Sequence, residues 1–291
     1  MPLSQIFGRL SSIFLIDGHN ALAFQQSFSM DRETYSPSLM SGKVLLWDMT
    51  SEEAGEAFRE ADFIVLPTAS MEQHSSHLPL STDSIRAEEL TKYLALHAEG
   101  LRMVVLPTLV YGQSLHHIHF PGTITLREET YIQVLRDIAW SVKQHGGRRL
   151  LIINYHGGNI IPIELARMMI EREIGLKVYF VGWSSFAADL VKEWFPGVPH
   201  GHACYYETSM ILHLRPVLVN REKMKRQRQR HEFQAPSRPL TRAPSAAYFE
   251  EQYLDGGIGD PTLARAELAE KLIPIVTERI VKALKEDMKL E

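Results

Sequence analysis

Residues 63–83 read FIVLPTASMEQHSSHLPLSTD, and the fold turns on how that stretch changes character. Four apolar residues, Phe63 to Leu66, precede Pro67. Such a run reads as a buried strand, and proline, with no N–H for a ladder, predicts that the strand stops there. The polar residues beyond it then fall in a loop at a sheet edge, where α/β proteins bind ligands. Glu72 and His74 are two residues apart, so an extended segment sends both side chains to one face. A carboxylate beside an imidazole suits zinc or manganese better than calcium, which takes oxygen ligands. Asp83 stands where a helix over 84–99 begins. Its plainer role is an N-cap, and the plainer reading of the whole cluster is capping plus surface polarity.

Two further segments carry the same chemistry. Leu150 to Ile153 is a second buried-strand run, ending in NYHGGN over 154–159. Paired glycines there allow tight backbone approach or positive φ and leave His156 at a strand end. A histidine so placed can equally be a structural hydrogen-bonding residue. Residues 201–209 add His202 and Glu207 ahead of the apolar run Met210-Ile211-Leu212. The plainer reading makes Glu207 an acid near a helix start, favoured by the macrodipole, and His202 a loop residue.

Around these segments, apolar runs and amphipathic stretches alternate. Candidate strands are 63–66, 103–106, 150–153 and 178–181, and candidate helices are 84–99, 128–145, 163–173 and 263–285. Gly146-Gly147 is expected to stop the second helix. The alternation predicts a largely parallel sheet with helices on both faces, a three-layer α/β/α fold. Residues 1–45 lack periodicity and read as an N-terminal arm or leader, leaving 46–291 as the main domain. Residues 235–245 (APSRPLTRAPS) read as an exposed loop. The glycine-rich 256–261 lacks a P-loop lysine, so phosphate cradling is weakly supported.

Composition narrows the classes. A chain of 291 residues can bury a sizeable core, and a net charge of −4 argues against a general nucleic-acid binder. The basic run 221–231 (REKMKRQRQRH) reads as a solvated helix or loop. A lone cysteine, Cys204, excludes an internal disulfide and suits a reducing compartment. It sits between His202 and Glu207, which also allows a nucleophile reading. No stretch is long and apolar enough to span a membrane, and the apolar run 13–16 does not make a signal peptide. A cytoplasmic protein is the expectation, without nucleic-acid or membrane partners.

Five motifs, LPTASMEQHSSHLPLSTD, GQSLHHIHFPGTITL, NYHGGN, HACYYETSMIL and GIGDPTLA, resemble the creatininase family in order and spacing, over about residues 60–265. That family comprises two-metal hydrolases of α/β/α fold that usually form hexamers. The resemblance implies that Glu72, His74, Asp83 and His156 are metal ligands, with Asp83 bridging. It makes His202 a proton shuttle and Glu207 the remaining ligand or a catalytic acid. It also places Ser114 and His117 in the substrate pocket, with Tyr155 and Trp183 as further substrate-binding candidates. Two departures stand out. Creatinine-hydrolysing members carry Tyr-Glu after the metal histidine, where this chain has Gly157-Gly158, and a tryptophan where it has Val198. The resemblance therefore does not carry creatinine as a substrate.

Together these readings predict a hydrolase with two divalent metals per chain, zinc or manganese or also iron. A metal-bridging hydroxide is expected to attack a small cyclic amide or related C–N bond, and the resemblance implies a homohexamer. Alternatives are opening of a keto-inositol ring, for which Gln113, His116, His117 and His119 offer a polar pocket, and a formamide or peptide-trimming activity. A non-catalytic metal-binding assembly subunit is the remaining option.

Overall fold

In the computed structural model, which describes residues 43–228 and 248–289, four strands form one sheet. They are β1 (Phe63–Thr68), β2 (Met103–Val105), β3 (Arg149–Asn154) and β4 (Lys177–Gly182), in the order β2-β1-β3-β4. Every pairing is parallel, with Val65 opposite Val105 and Leu151 and with Leu151 opposite Tyr179. Parallel strands need crossovers, and helices supply them. The crossovers are α2 (Thr82–His97), α3 (Glu128–Gln144) and α4 (Ile160–Glu173); α1 (Ser51–Glu60) precedes β1, and α5 (Ala188–Trp194), α6 (Tyr205–Leu214), α7 (Phe249–Gln252) and α8 (Ala266–Met288) follow β4. The expected three-layer α/β/α arrangement is the observed one.

Strand alternation divides the core into two halves. Phe63, Val65, Leu151 and Ile153 pack with α2, α6 and α8 through Leu90, Leu94, Met210, Leu272 and Val276. Ile64, Leu66, Leu150 and Ile152 pack with α1, α3 and α4 through Phe58, Leu135, Ala139 and Ile170. Both inner strands are apolar at successive positions because each face is covered.

β1 does not stop at Pro67, as the missing N–H predicts. It runs to Thr68, with Pro67 opposite Ile153 and Thr68 opposite Asn154. The Pro67 carbonyl accepts from Leu109 N (3.0 Å), on the side where β2 has already ended. The absent donor therefore faces that side and costs the β1–β3 ladder nothing. α2 begins at Thr82, so Asp83 lies inside its first turn rather than capping it. α4 starts three residues earlier than expected, and Leu263 falls in a short 3-10 turn ahead of α8. α1 was not expected at all, although Thr50 and Glu53 form a capping box at its start. α3 ends as expected, with Gly146 at φ +89°.

Of the residues read as an arm, 43–45 lie against β2. Val44 O accepts Val105 N (2.8 Å) and Leu45 bridges to Val105. Residues 1–42 and the loop 235–245 lie outside the described residues. In the basic run, Lys225 and Arg228 both pair with Asp255. No helix among the described residues is long and apolar enough to cross a membrane.

Ile152 is fully buried on an inner strand. Ile152→Ala is expected to lower unfolding free energy by about 2–5 kcal/mol, read from the guanidinium denaturation midpoint. A loss under about 1 kcal/mol would show that this face repacks freely.

Candidate metal centre

The site gathers where β1 and β3 end. The loop after β1 carries Glu72 and His74, and the residue pair after β3 brings Tyr155 and His156. Asp83 and Glu207 come from the first turns of α2 and α6, where unpaired N–H groups favour negative charge. His202 arrives from the segment before α6. All six polar side chains are buried or nearly so: Glu72 is 0%, His74 1%, Asp83 1%, His156 6% and Glu207 8% exposed.

Their functional atoms converge. Glu72 Oε1 lies 3.1 Å from His156 Nδ1 and 3.7 Å from His202 Nδ1. Asp83 spans the cluster, with Oδ2 3.4 Å from His156 Nδ1 and Oδ1 3.5 Å from His74 Nε2. Glu207 Oε2 is 3.8 Å from His74 Nε2. Two sets of three, Glu72/His74/His202 and His74/Asp83/Glu207, have ligand-type atoms all within 4.8 Å of one another, and so does Glu72/His116/His156.

Hydrogen bonding fixes which atoms face inward. His74 Nδ1 donates to Glu72 O (3.2 Å), His156 Nε2 to Gln113 O (3.0 Å) and His202 Nε2 to Gln73 O (2.7 Å). In each ring the other nitrogen is turned toward the carboxylates, where it carries a proton or, once deprotonated, takes a cation. Glu72 Oε1, His74 Nε2 and Asp83 Oδ2 are buried without any hydrogen-bond partner. Such atoms are costly to leave unmatched, and here they point at one another. Bound divalent cations would satisfy them.

Electrostatics point the same way. Burial works against charge on His74, yet Asp83 and Glu207 raise its pKa to about 9. His156 is likewise raised, against burial, by Glu72 and Asp83. Burial would raise Glu72, but His156, His117 and His202 hold it well below the usual range. Asp83, against the same burial, is held at about 2 by His74 and His156. The carboxylates thus draw positive charge onto the imidazoles. His202 differs: burial and His74 push its pKa down, so it stays neutral.

A cavity of about 290 Å³ opens onto this cluster, lined by Arg86, His116, His117, Tyr155, Ser184, His200, Tyr206 and Phe249 besides the acids and His156. Ser114 does not line it. Its hydroxyl donates to Glu72 Oε2 (2.5 Å), so it holds that carboxylate in place. His117 does line the cavity. Its Nδ1 accepts from Gln73 Nε2 (2.9 Å), while Gln73 Oε1 takes Ser75 N. Its proton is therefore on Nε2, 3.7 Å from Glu72 Oε1. Tyr155 lines the wall with its hydroxyl on Thr91. Trp183 departs from expectation: it is fully buried and stacks behind Tyr155 at 5.7 Å, because the turn after β4 feeds its ring into the core. His119 faces away from the cavity and pairs with Glu250, and Gln113 turns its amide to Glu128.

Cys204 is fully buried, and burial raises its thiol to about 11, which removes the nucleophile reading. At Gly158 a Cβ would fall 2.2 Å from Gln113 O and 2.5 Å from His156 Nε2. No carboxylate can enter from that position without moving backbone. Two non-glycine residues hold left-handed backbone, Ser75 (φ 59°) and Ala203 (φ 51°), each directly after a site histidine. The Ala203 N–H donates to Glu207 Oε2 (2.6 Å), so this strain serves ligand placement.

Sequence reasoning missed Arg86, Gln73 and Phe249. Arg86 lies three residues after Asp83, on the helix face that Asp83 occupies, a spacing that could have flagged it.

A family model described as creatinine amidohydrolase matches residues 47–284. Mycofactocin precursor peptide peptidase of Mycobacterium tuberculosis (strain ATCC 25618 / H37Rv) is 31% identical over 226 residues, 75% of this chain and 83% of that protein. Creatinine amidohydrolase of Pseudomonas putida is 29% identical over 203 residues, 64% and 77% of the two chains. A crystal structure of creatinine amidohydrolase (creatininase) shares the fold with a TM-score of 0.71 at 25% identity, covering 84% of this chain and 97% of that one. The lone pairs gathered at the ends of β1 and β3 thus sit in a chain that belongs to the creatininase family and is a metal-dependent hydrolase.

Proposed function

We propose that the chain binds two divalent cations and hydrolyses the C–N bond of a small amide. The observation that carries this reading is the set of orphaned buried atoms, Glu72 Oε1, His74 Nε2 and Asp83 Oδ2. Glu72, Asp83 and His156 would hold one cation, and His74, Asp83 and Glu207 the other, with Asp83 shared. Solved creatininases include a Zn-Zn form and a manganese form, and a mixed carboxylate and imidazole donor set suits either metal. Two cations there would bring the pKa of a shared water toward neutrality and polarise the amide oxygen.

The remaining steps fall to protein groups. His202 is neutral, with Nδ1 open toward the cluster because Nε2 is committed to Gln73 O. It takes a proton from the attacking water and returns it to the departing nitrogen. His117 presents Nε2–H, fixed by Gln73, as a donor to the oxygen that gains charge. Phe249 packs 4.3 Å from His117 and 5.2 Å from His202, between ring centroids, and keeps water from both. The relatives named for a peptidase and an amidohydrolase favour an amide over the C–C alternative.

A homo-oligomer accompanies this reading. Ile161, Leu165 and Met168 are 73%, 48% and 61% exposed along one stripe of α4, an apolar face that suits burial against another subunit. Sedimentation at micromolar concentration should show an assembly that Ile161→Glu dissociates, and a monomeric wild type would remove the idea.

Asp83→Ala is expected to lose most bound metal and all measurable turnover together, read by elemental analysis beside a hydrolysis screen of amides, formamides and peptides. Full metal occupancy in that variant would end the shared-ligand role. His202→Ala should keep its metal and lower kcat by roughly 10²–10⁴-fold, with little change in KM. An unchanged kcat would exclude His202 from proton transfer.

A further inference from the structure

One buried charge in the cavity is not used by this chemistry. Arg86 is 2% exposed and lines the cavity wall. Its Nη1 donates to Glu207 Oε1 (2.7 Å) and Asp83 Oδ1 (3.2 Å). The guanidinium lies 5.9 Å from the centroid of the Tyr155 ring and 5.4 Å from that of Tyr206. A guanidinium carries more N–H donors than these two bonds use. Arg86 Nε finds no hydrogen-bond partner of good geometry, and the Tyr206 hydroxyl on the same wall interacts with the guanidinium. With its oxygen turned to a cation, that hydroxyl has its proton left for an acceptor that the described residues do not provide.

Holding Glu207 is not enough to explain a buried arginine. Glu207 already accepts from Ala203 N–H and sits in the first turn of α6. With a cation beside His74 it needs no further neutralisation. Charge counting sharpens the point. The acids lining the cavity are Glu72, Asp83 and Glu207, and Gly158 cannot add a fourth. Two divalent cations plus Arg86 exceed those three acids by two charges, and a hydroxide removes one. A single positive charge is left over in a buried site, where uncompensated charge is expensive. The surplus calls for a monoanion.

We propose that Arg86, with the Tyr206 hydroxyl, anchors a carboxylate of the substrate. The substrate class is then an amide bearing one negative charge within a few bonds of the scissile C–N bond, such as an N-acyl amino acid or the free C-terminal end of a peptide. A carboxylate is the anion that a guanidinium fork matches in shape. Because Arg86 Nη1 is 3.2 Å from Asp83, an acid held there lies next to the reacting bond. This deepens the two-metal reading and rests on it.

The test is calorimetric binding to the zinc-loaded full chain, comparing N-acetylglycine with N-acetylglycinamide, with zinc content measured in every sample. The acid is expected to bind the wild type at least about tenfold more tightly. In Arg86→Met that preference should fall to about twofold or less. Arg86→Lys keeps the charge but loses the fork, so its preference should be intermediate. Equal binding of acid and amide by the wild type overturns the proposal. So does a preference that survives Arg86→Met, since the zinc alone would then account for it. Should Arg86→Met not fold, an Arg86→Lys preference equal to wild type overturns it as well. Preferential acid binding with no hydrolysis of either compound would discard the amide chemistry and leave the anchor standing.

Discussion

Three carboxylates with almost no access to water occupy the centre of this protein, and most of what surrounds them answers that fact. Glu72, Asp83 and Glu207 cannot stay ionised there without positive charge nearby. The chain supplies part of it directly. α2 and α6 point their N-termini at Asp83 and Glu207, Arg86 bridges the same two acids, and His74 and His156 are drawn toward protonation. What it leaves open are three lone-pair atoms with no partner. The stability of the apo site and its affinity for cations are therefore one quantity seen from two sides.

The fold makes that concentration of charge tolerable. β1 and β3 are apolar on both faces, so the strands that deliver the site are anchored by core packing rather than by the site itself. Backbone carbonyls of Glu72, Gln73 and Gln113 then orient the three histidines. Gln73 is the hinge of this layer. Its side chain bonds Gly256 O, Ser75 N and His117 Nδ1 while its carbonyl holds His202. A residue between Glu72 and His74 thus sets the proton positions of His117 and His202.

Legibility in the sequence tracked the kind of force involved. The strands were readable because burial of a parallel sheet demands unbroken apolar runs, and 63–66 and 150–153 are such runs. Pro67 misled because its effect depends on which side of the strand lacks a neighbour, a fact of topology. Asp83 kept a plain N-cap reading beside its metal-ligand reading, since sequence alone cannot separate an N-cap from a residue inside the first turn, and the two differ in where the carboxylate points. Trp183, a substrate-binding candidate from the sequence, is buried by its turn behind Tyr155. Arg86 escaped notice for a simpler reason. An arginine at the start of an amphipathic helix ordinarily faces water, and only the folded neighbourhood reveals two acids waiting for it.

The cavity is also asymmetric along its length, and that asymmetry orders a substrate. At the Glu72 end stand His116, His117 and Phe249, with His116 stacked on His156 at 5.5 Å and Phe249 over His117. At the Glu207 end stand Arg86, Tyr206 and Tyr155, a wall with a fixed cation and a hydroxyl beside it. On the proposed reading, an amide with an apolar acyl group and an acidic amine portion would fit in one direction, its acyl carbon toward the Nε2–H of His117 and its acid toward the guanidinium. Reversal would press the carboxylate against Phe249 and leave Arg86 unmatched, a loss on both ends. Binding energy from the acid would then serve to fix the scissile bond over the acids, which is how a remote charge becomes rate rather than mere affinity.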